Sequence, residues 1–118
     1  SHQQIIGFPA LKGSFFATEI QQFAHQKKWN LENDYHFGGY AKYTSELIHF
    51  INNFKKETGV LLDPIYTGKM IFGILDKIQK NHFKANTKIL AIHTGGLQGI
   101  AGFNQKLKNK KQEIISLV

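Results

Sequence analysis

At 118 residues, with 42% hydrophobic, 13% aromatic and 19% charged side chains, the chain has the makeup of one folded segment, residues 1–118, and not of a disordered tail. Its net charge of +7 raises nucleic acid as a partner, but the lysines are scattered over helix-like stretches and a polar tail at Lys106, Lys108, Lys110 and Lys111, without a basic-aromatic array, so solvated faces and no specific nucleic-acid partner are expected. The lack of cysteine excludes disulfides and thiolate metal sites and leaves the cytoplasm as the default setting, and no apolar run nears the ~20 residues that cross a bilayer.

In chain order, the run Gln4-Ile5-Ile6-Gly7-Phe8, closed by Pro9, fits a buried strand. Phe16, Ile20, Phe23 and Ala24 recur at helical spacing, with Ser14 or Thr18 as a cap. Residues 35–40, Tyr-His-Phe-Gly-Gly-Tyr, read as a brief strand entering a loop that the two glycines allow to turn. Leu47, Ile51 and Phe54 mark an amphipathic helix over residues 45–58, capped by Thr44 or Ser45 and ended by Gly59.

Val60-Leu61-Leu62 then reads as a short strand broken at Asp63-Pro64, and Ile71, Ile74, Leu75 and Ile78 give the stripe of a third helix. Residues 88–93, Lys-Ile-Leu-Ala-Ile-His, are the clearest buried strand by pattern, followed by Thr94-Gly95-Gly96 and a last helix within residues 97–107. Residues 106–112 look like a solvated, frayed end. Strands alternating with helices over short connections predict an α/β fold, a parallel sheet covered by helices.

In such a sheet, ligands bind beyond the carboxyl ends of the strands. Two strand ends qualify. At residues 93–99 a glycine-rich turn offers backbone amides and the Thr94 hydroxyl to an anion or a heterocycle, or is simply a tight turn. At residues 61–69 the chain delivers Tyr66, Thr67 and Lys69 to one edge, where the plain alternative is a rim aromatic and a solvated first-turn lysine. The histidines, at positions 2, 25, 36, 49, 82 and 93, are never three to five apart, so no metal site is expected. His93, closing an apolar strand, reads as a hydrogen-bonded structural residue.

Taken together, Leu62-Asp63-Pro64-Ile65-Tyr66-Thr67-Gly68-Lys69-Met70 and the later Ile92-His93-Thr94-Gly95-Gly96-Leu97 resemble the C-terminal part of the 1-aminocyclopropane-1-carboxylate deaminase and D-cysteine desulfhydrase family. Gly39-Tyr40 and the opening Ile5-Ile6-Gly7-Phe8 to Leu11-Lys12-Gly13 fit the same pattern, which leaves only the last dozen residues unmatched. The resemblance implies a large domain of the tryptophan-synthase-β-like fold (fold type II), pyridoxal 5'-phosphate as cofactor and a small amino acid as substrate.

By the same resemblance, Tyr66 and Tyr40 match the active-site tyrosines, and Thr94 and Gly95 fall in the loop beside the cofactor ring. Thr67 lies where the deaminases carry a glutamate near the pyridine nitrogen. A carboxylate there favours the protonated ring and strengthens it as an electron sink, whereas a neutral hydroxyl only hydrogen-bonds, which tilts the expectation toward β-elimination from D-cysteine. The family's Schiff-base lysine and phosphate loop have no match here, and the chain opens on Ser1 with Met70 its only methionine. It therefore reads as processed or as a piece of something longer, inactive alone. A sheet lacking strands would also expose an apolar edge, favouring a homo-oligomer. The alternative reading is a stand-alone α/β module that holds a nucleotide or phosphate without catalysis.

Overall fold

The structure, a computed structural model, describes residues 3–13, 16–22 and 29–118. Strand β1 (Ile5–Gly7) leads to helix α1 (Phe16–Gln21) and strand β2 (Trp29–Leu31). Helices α2 (Ser45–Thr58) and α3 (Thr67–Gln79) follow, and a single 3-10 turn (Leu97–Gly99) enters α4 (Ile100–Asn109). The architecture is α/β. β1 and β2 pair in parallel, with Ile5 opposite Trp29, Ile6 opposite Asn30 and Gly7 opposite Leu31. A Cβ on Gly7 would lie 2.9 Å from Leu31 Cδ2, so a side chain there would make the end of Leu31 shift.

The helices obey the signals written at their ends. Thr44 caps α2, its side chain accepting from Leu47 N at 3.2 Å. Gly59, at φ 78°, closes it in the left-handed conformation, with its N–H on Lys55 O at 2.7 Å. The buried core lies where Leu47, Ile48 and Ile51 of α2 meet Ile100, Phe103 and Leu107 of α4, with Leu62 and Ile115 closing the gap. A run of aromatic contacts, Phe8 to Tyr35 to Phe72 to Phe50 to Phe54, joins the β1 side of the molecule to α2 by way of α3. Gly73 lets this happen: a Cβ there would meet Phe8 at 2.6 Å and Tyr35 at 2.9 Å.

Several expectations are corrected. Residues 60–62 and 88–93 form no strand, and residues 35–40 are turns. Leu90 is 87% and Ile92 66% exposed, so the clearest buried strand by pattern is here neither paired nor buried. An apolar run becomes a strand only when neighbours complete its ladder, and among the described residues none does. The strand that does form beside β1, Trp29–Leu31, was not anticipated, since its central residue is the polar Asn30. In the N-terminal helix, Ser14, Phe23 and Ala24 lie outside the described residues, and Thr18 sits inside the helix instead of capping it.

The chain's end is also better ordered than its polarity suggests. Lys106 and Lys108 belong to α4. Beyond it, the buried side chain of Asn104 donates to Ile115 O and accepts from Ile115 N, both at 2.8 Å. Asn52 grips Ile114 O and Ser116 N, also at 2.8 Å, so residues 113–116 are strapped along α2. No helix among the described residues is long and apolar enough to cross a membrane.

Candidate active site

The segment from Leu61 to Lys69 organises the site. Asp63, 1% exposed, turns its carboxylate onto the start of α3: Oδ2 accepts from Ile65 N and Tyr66 N, and Oδ1 from Thr67 N, each at 2.8 Å. An Asp-Pro before a helix is read first as a strand breaker, yet here the carboxylate satisfies amides that the first turn leaves without partners and meets the positive end of the helix dipole. Asp63 escaped the sequence reading as a site residue. The signal was an acid four residues ahead of the first helical residue.

Thr67 is buried and occupied. Its hydroxyl donates to Asp63 Oδ1 at 2.7 Å and accepts from Asp63 N at 2.9 Å. The one proton of the hydroxyl is thus directed to Asp63. Lys69 departs from expectation. It is 2% exposed, with Nζ donating to His36 O at 2.7 Å and Gly39 O at 3.0 Å, so it is no solvated first-turn lysine.

Tyr40 and Tyr66, twenty-six residues apart in sequence, stand together at the surface of this edge, 50% and 47% exposed. Their rings meet edge to face with centroids 6.2 Å apart, and Tyr66 Oη donates to Tyr40 Oη at 3.4 Å. Tyr66 holds its proton above the ordinary phenol range, first because of that hydrogen bond and then because of burial. It is a neutral phenol at neutral pH.

The glycine-rich loop packs onto the same segment. His93 Nε2 bonds Leu61 O at 2.9 Å while Gly95 N donates to His93 Nδ1 at 3.1 Å, which fixes the tautomer with the proton on Nε2. Gly96, at φ 82°, lies directly against the Asp63 carboxylate. Thr94 is exposed, and a Cβ on Gly95, at φ 95°, would meet nothing within 4 Å. Of the residues singled out in the sequence, Tyr40 and Tyr66 are brought together, Thr94 and Gly95 lie on the loop seated against their support, and Thr67 is turned inward beneath them.

No protein-family model matches the chain. A Pyrococcus horikoshii protein provisionally named a 1-aminocyclopropane-1-carboxylate deaminase is 42% identical over 74 residues, which are 63% of this chain and 22% of that protein. A D-cysteine desulfhydrase of Klebsiella pneumoniae is 34% identical over 91 residues, 77% of this chain and 27% of that protein. The crystal structure of an ACC deaminase homologue superimposes with a TM-score of 0.77 at 30% identity, over 88% of this chain and 34% of that one. The matched part thus spans between 22% and 34% of the length of these relatives. Sequence and fold agree that the chain is homologous to a segment of the 1-aminocyclopropane-1-carboxylate deaminase and D-cysteine desulfhydrase proteins.

Proposed function

We propose that this chain forms the tyrosine-bearing side of the active site of a pyridoxal 5'-phosphate-dependent enzyme acting on a small amino acid. The observation that carries the reading is the Tyr40–Tyr66 pair, joined across twenty-six residues at an open edge beside the Thr94–Gly95 loop. The Thr94 hydroxyl and the unobstructed backbone at Gly95 fit one face of a flat heterocycle. The cofactor, when bound, supplies an electron sink for the carbon next to the substrate amino group.

The chain's own residues hold and move protons. Tyr66, kept neutral by its neighbour, is suited to hold a proton on Oη and hand it over, while Tyr40 Oη orients it by accepting that hydrogen bond. Lys69 is not the amine that carries the cofactor, because both backbone carbonyls of the turn already hold its buried ammonium. The relatives are named as a D-cysteine desulfhydrase and a 1-aminocyclopropane-1-carboxylate deaminase; the corresponding reactions convert D-cysteine and water to pyruvate, sulfide and ammonia, and 1-aminocyclopropane-1-carboxylate and water to 2-oxobutyrate and ammonia.

A neutral Thr67 where the deaminases carry a glutamate favours elimination from D-cysteine, with the cyclopropane amino acid as the second candidate. Both substrates belong to the proposal. The test is an assay of the protein, in its natural full length and with pyridoxal 5'-phosphate, for pyruvate from D-cysteine and 2-oxobutyrate from the cyclopropane amino acid. An absorbance band above about 400 nm should appear on adding the cofactor. Release of neither product, with no such band, would remove the reading. The alternative of a non-catalytic phosphate-binding module draws no support from relatives named as amino-acid enzymes.

A further inference from the structure

Lys69 is the most buried cation among the described residues and belongs to none of their ion pairs. Its ammonium is spent on two backbone carbonyls, His36 O and Gly39 O, thirty or more residues upstream. Sinking a charge into a protein interior is expensive, and an apolar side chain of the same length would fill the space at lower cost. Packing alone does not explain a lysine there.

The turn it holds is strained. Phe37 and Ala41 both sit at φ 57°, flanking Gly38 at 99° and Gly39 at 130°. Side chains other than glycine rarely adopt such angles, and they persist when surrounding contacts dictate them. Within the turn, Gly39 N reaches His36 O at 3.2 Å and Lys42 N reaches Gly39 O at 3.1 Å, so Lys69 grips the same carbonyls that close the turn on itself. The second anchor is Phe37, whose ring meets Phe72 edge to face at 5.0 Å. Both anchors come from α3, and Tyr66 stands at the N-terminus of that helix. Tyr40 follows directly on Gly39.

We infer that Lys69 is a positioning residue: by pinning the turn of residues 36–41 to α3, it sets the Tyr40 hydroxyl against that of Tyr66. The importance of the pair rests on the proposed function, but the contact itself is measured without turnover. In protein labelled with ¹³C on tyrosine ring carbons and assigned by Tyr→Phe variants, Tyr66 is expected to titrate above the ordinary phenol range, and Tyr40→Phe to bring it down by removing the acceptor. Lys69→Met is expected to bring it down in the same way. The double variant should then show no further shift.

An unmoved Tyr66 titration in Lys69→Met, or two shifts that add in full in the double variant, would overturn the assignment. Loss of the ammonium charge at high pH does not confuse the measurement, since a neutral amine keeps two hydrogens for two carbonyls. Should Lys69→Met fail to fold, Lys69→Leu, which also lacks any donor, is read identically. In wild-type protein, nuclear Overhauser contacts from the Lys69 ammonium protons to residues 36–39 are expected, and their absence would also overturn it. A pair that titrates as described in a protein without turnover would sink the proposed function and leave this assignment standing.

Discussion

Asp63 lies directly beneath Gly96: a Cβ built on Gly96 would stand 3.0 Å from Asp63 Cγ and 3.1 Å from Oδ1. The carboxylate that begins α3 therefore also supports the loop carrying Thr94 and Gly95. Gly96 serves twice, by its φ of 82° and by its missing side chain. Gly95 shares the first feature, at φ 95°, and not the second, since nothing lies within 4 Å of its Cβ position.

Gly95→Ala is accordingly expected to cost about 1–2 kcal/mol of stability for the left-handed backbone alone. Gly96→Ala should cost more, because Asp63 must shift and weaken its hydrogen bonds to the first turn of α3. Urea unfolding of the two variants checks the order. Equal losses would show that the Asp63 contact carries no weight.

Burial pushes the Lys69 ammonium down to about 8 from an ordinary 10.5, with nearby Asp63 opposing the shift. Between those values the native chain has shed the proton while the unfolded chain still binds it. Stability therefore rises as pH climbs from about 8 toward 10.5. The rise should vanish in Lys69→Met. Urea midpoints measured across that window, as the difference between wild type and variant, check it; parallel pH dependences would contradict it.

Asn104 treats the peptide of Ile115 as a strand would, meeting its C=O and N–H with one amide at 2.8 Å each. Asn104→Ala leaves two buried backbone groups without partners, at an expected cost of about 2–4 kcal/mol. Hydrogen exchange at the Ile115 amide should accelerate by more than the global loss explains, because the strap detaches locally. Unchanged protection there would contradict the role.

How much of this was legible in the sequence depended on how local each cause is. Thr44 and Gly59 bracket α2 as their types demand, because capping involves only neighbours along the chain. The motifs around Tyr40 and Tyr66 singled out two residues that the fold brings into contact, and the place of His93 at the end of an apolar run marked it as hydrogen-bonded. Lys69 was not legible, since nothing in its own helix reveals carbonyls thirty residues upstream. The partner of the Thr67 hydroxyl, by contrast, is only four residues earlier, at Asp63. Residues 88–93 show the converse, where Leu90 and Ile92 carry a strand pattern without a described partner to complete it.

The last prediction concerns the tyrosine pair in turnover. If Tyr66 holds and delivers a proton, Tyr66→Phe in the full-length enzyme removes the only atom able to do so while keeping the ring that packs against Tyr40. Loss of a positioned proton carrier costs about 10²–10⁴-fold in rate, so kcat should fall at least about a hundredfold. Cofactor binding should be retained, because the phenol anchors no phosphate. Tyr40→Phe removes only the acceptor of one hydrogen bond, worth about 1 kcal/mol, and should cost roughly fivefold to tenfold. It should also move the alkaline limb of the pH profile to lower pH, since the Tyr40 hydrogen bond is the main cause of the raised Tyr66 titration. The double variant should be no slower than Tyr66→Phe alone, because Tyr40 is assigned to act through Tyr66. Steady-state kinetics and absorbance of the bound cofactor for the three variants distinguish the outcomes. Loss of cofactor in Tyr66→Phe would make its role structural, and a Tyr40→Phe loss equal to that of Tyr66→Phe would mean that Tyr40 touches the reacting atoms itself.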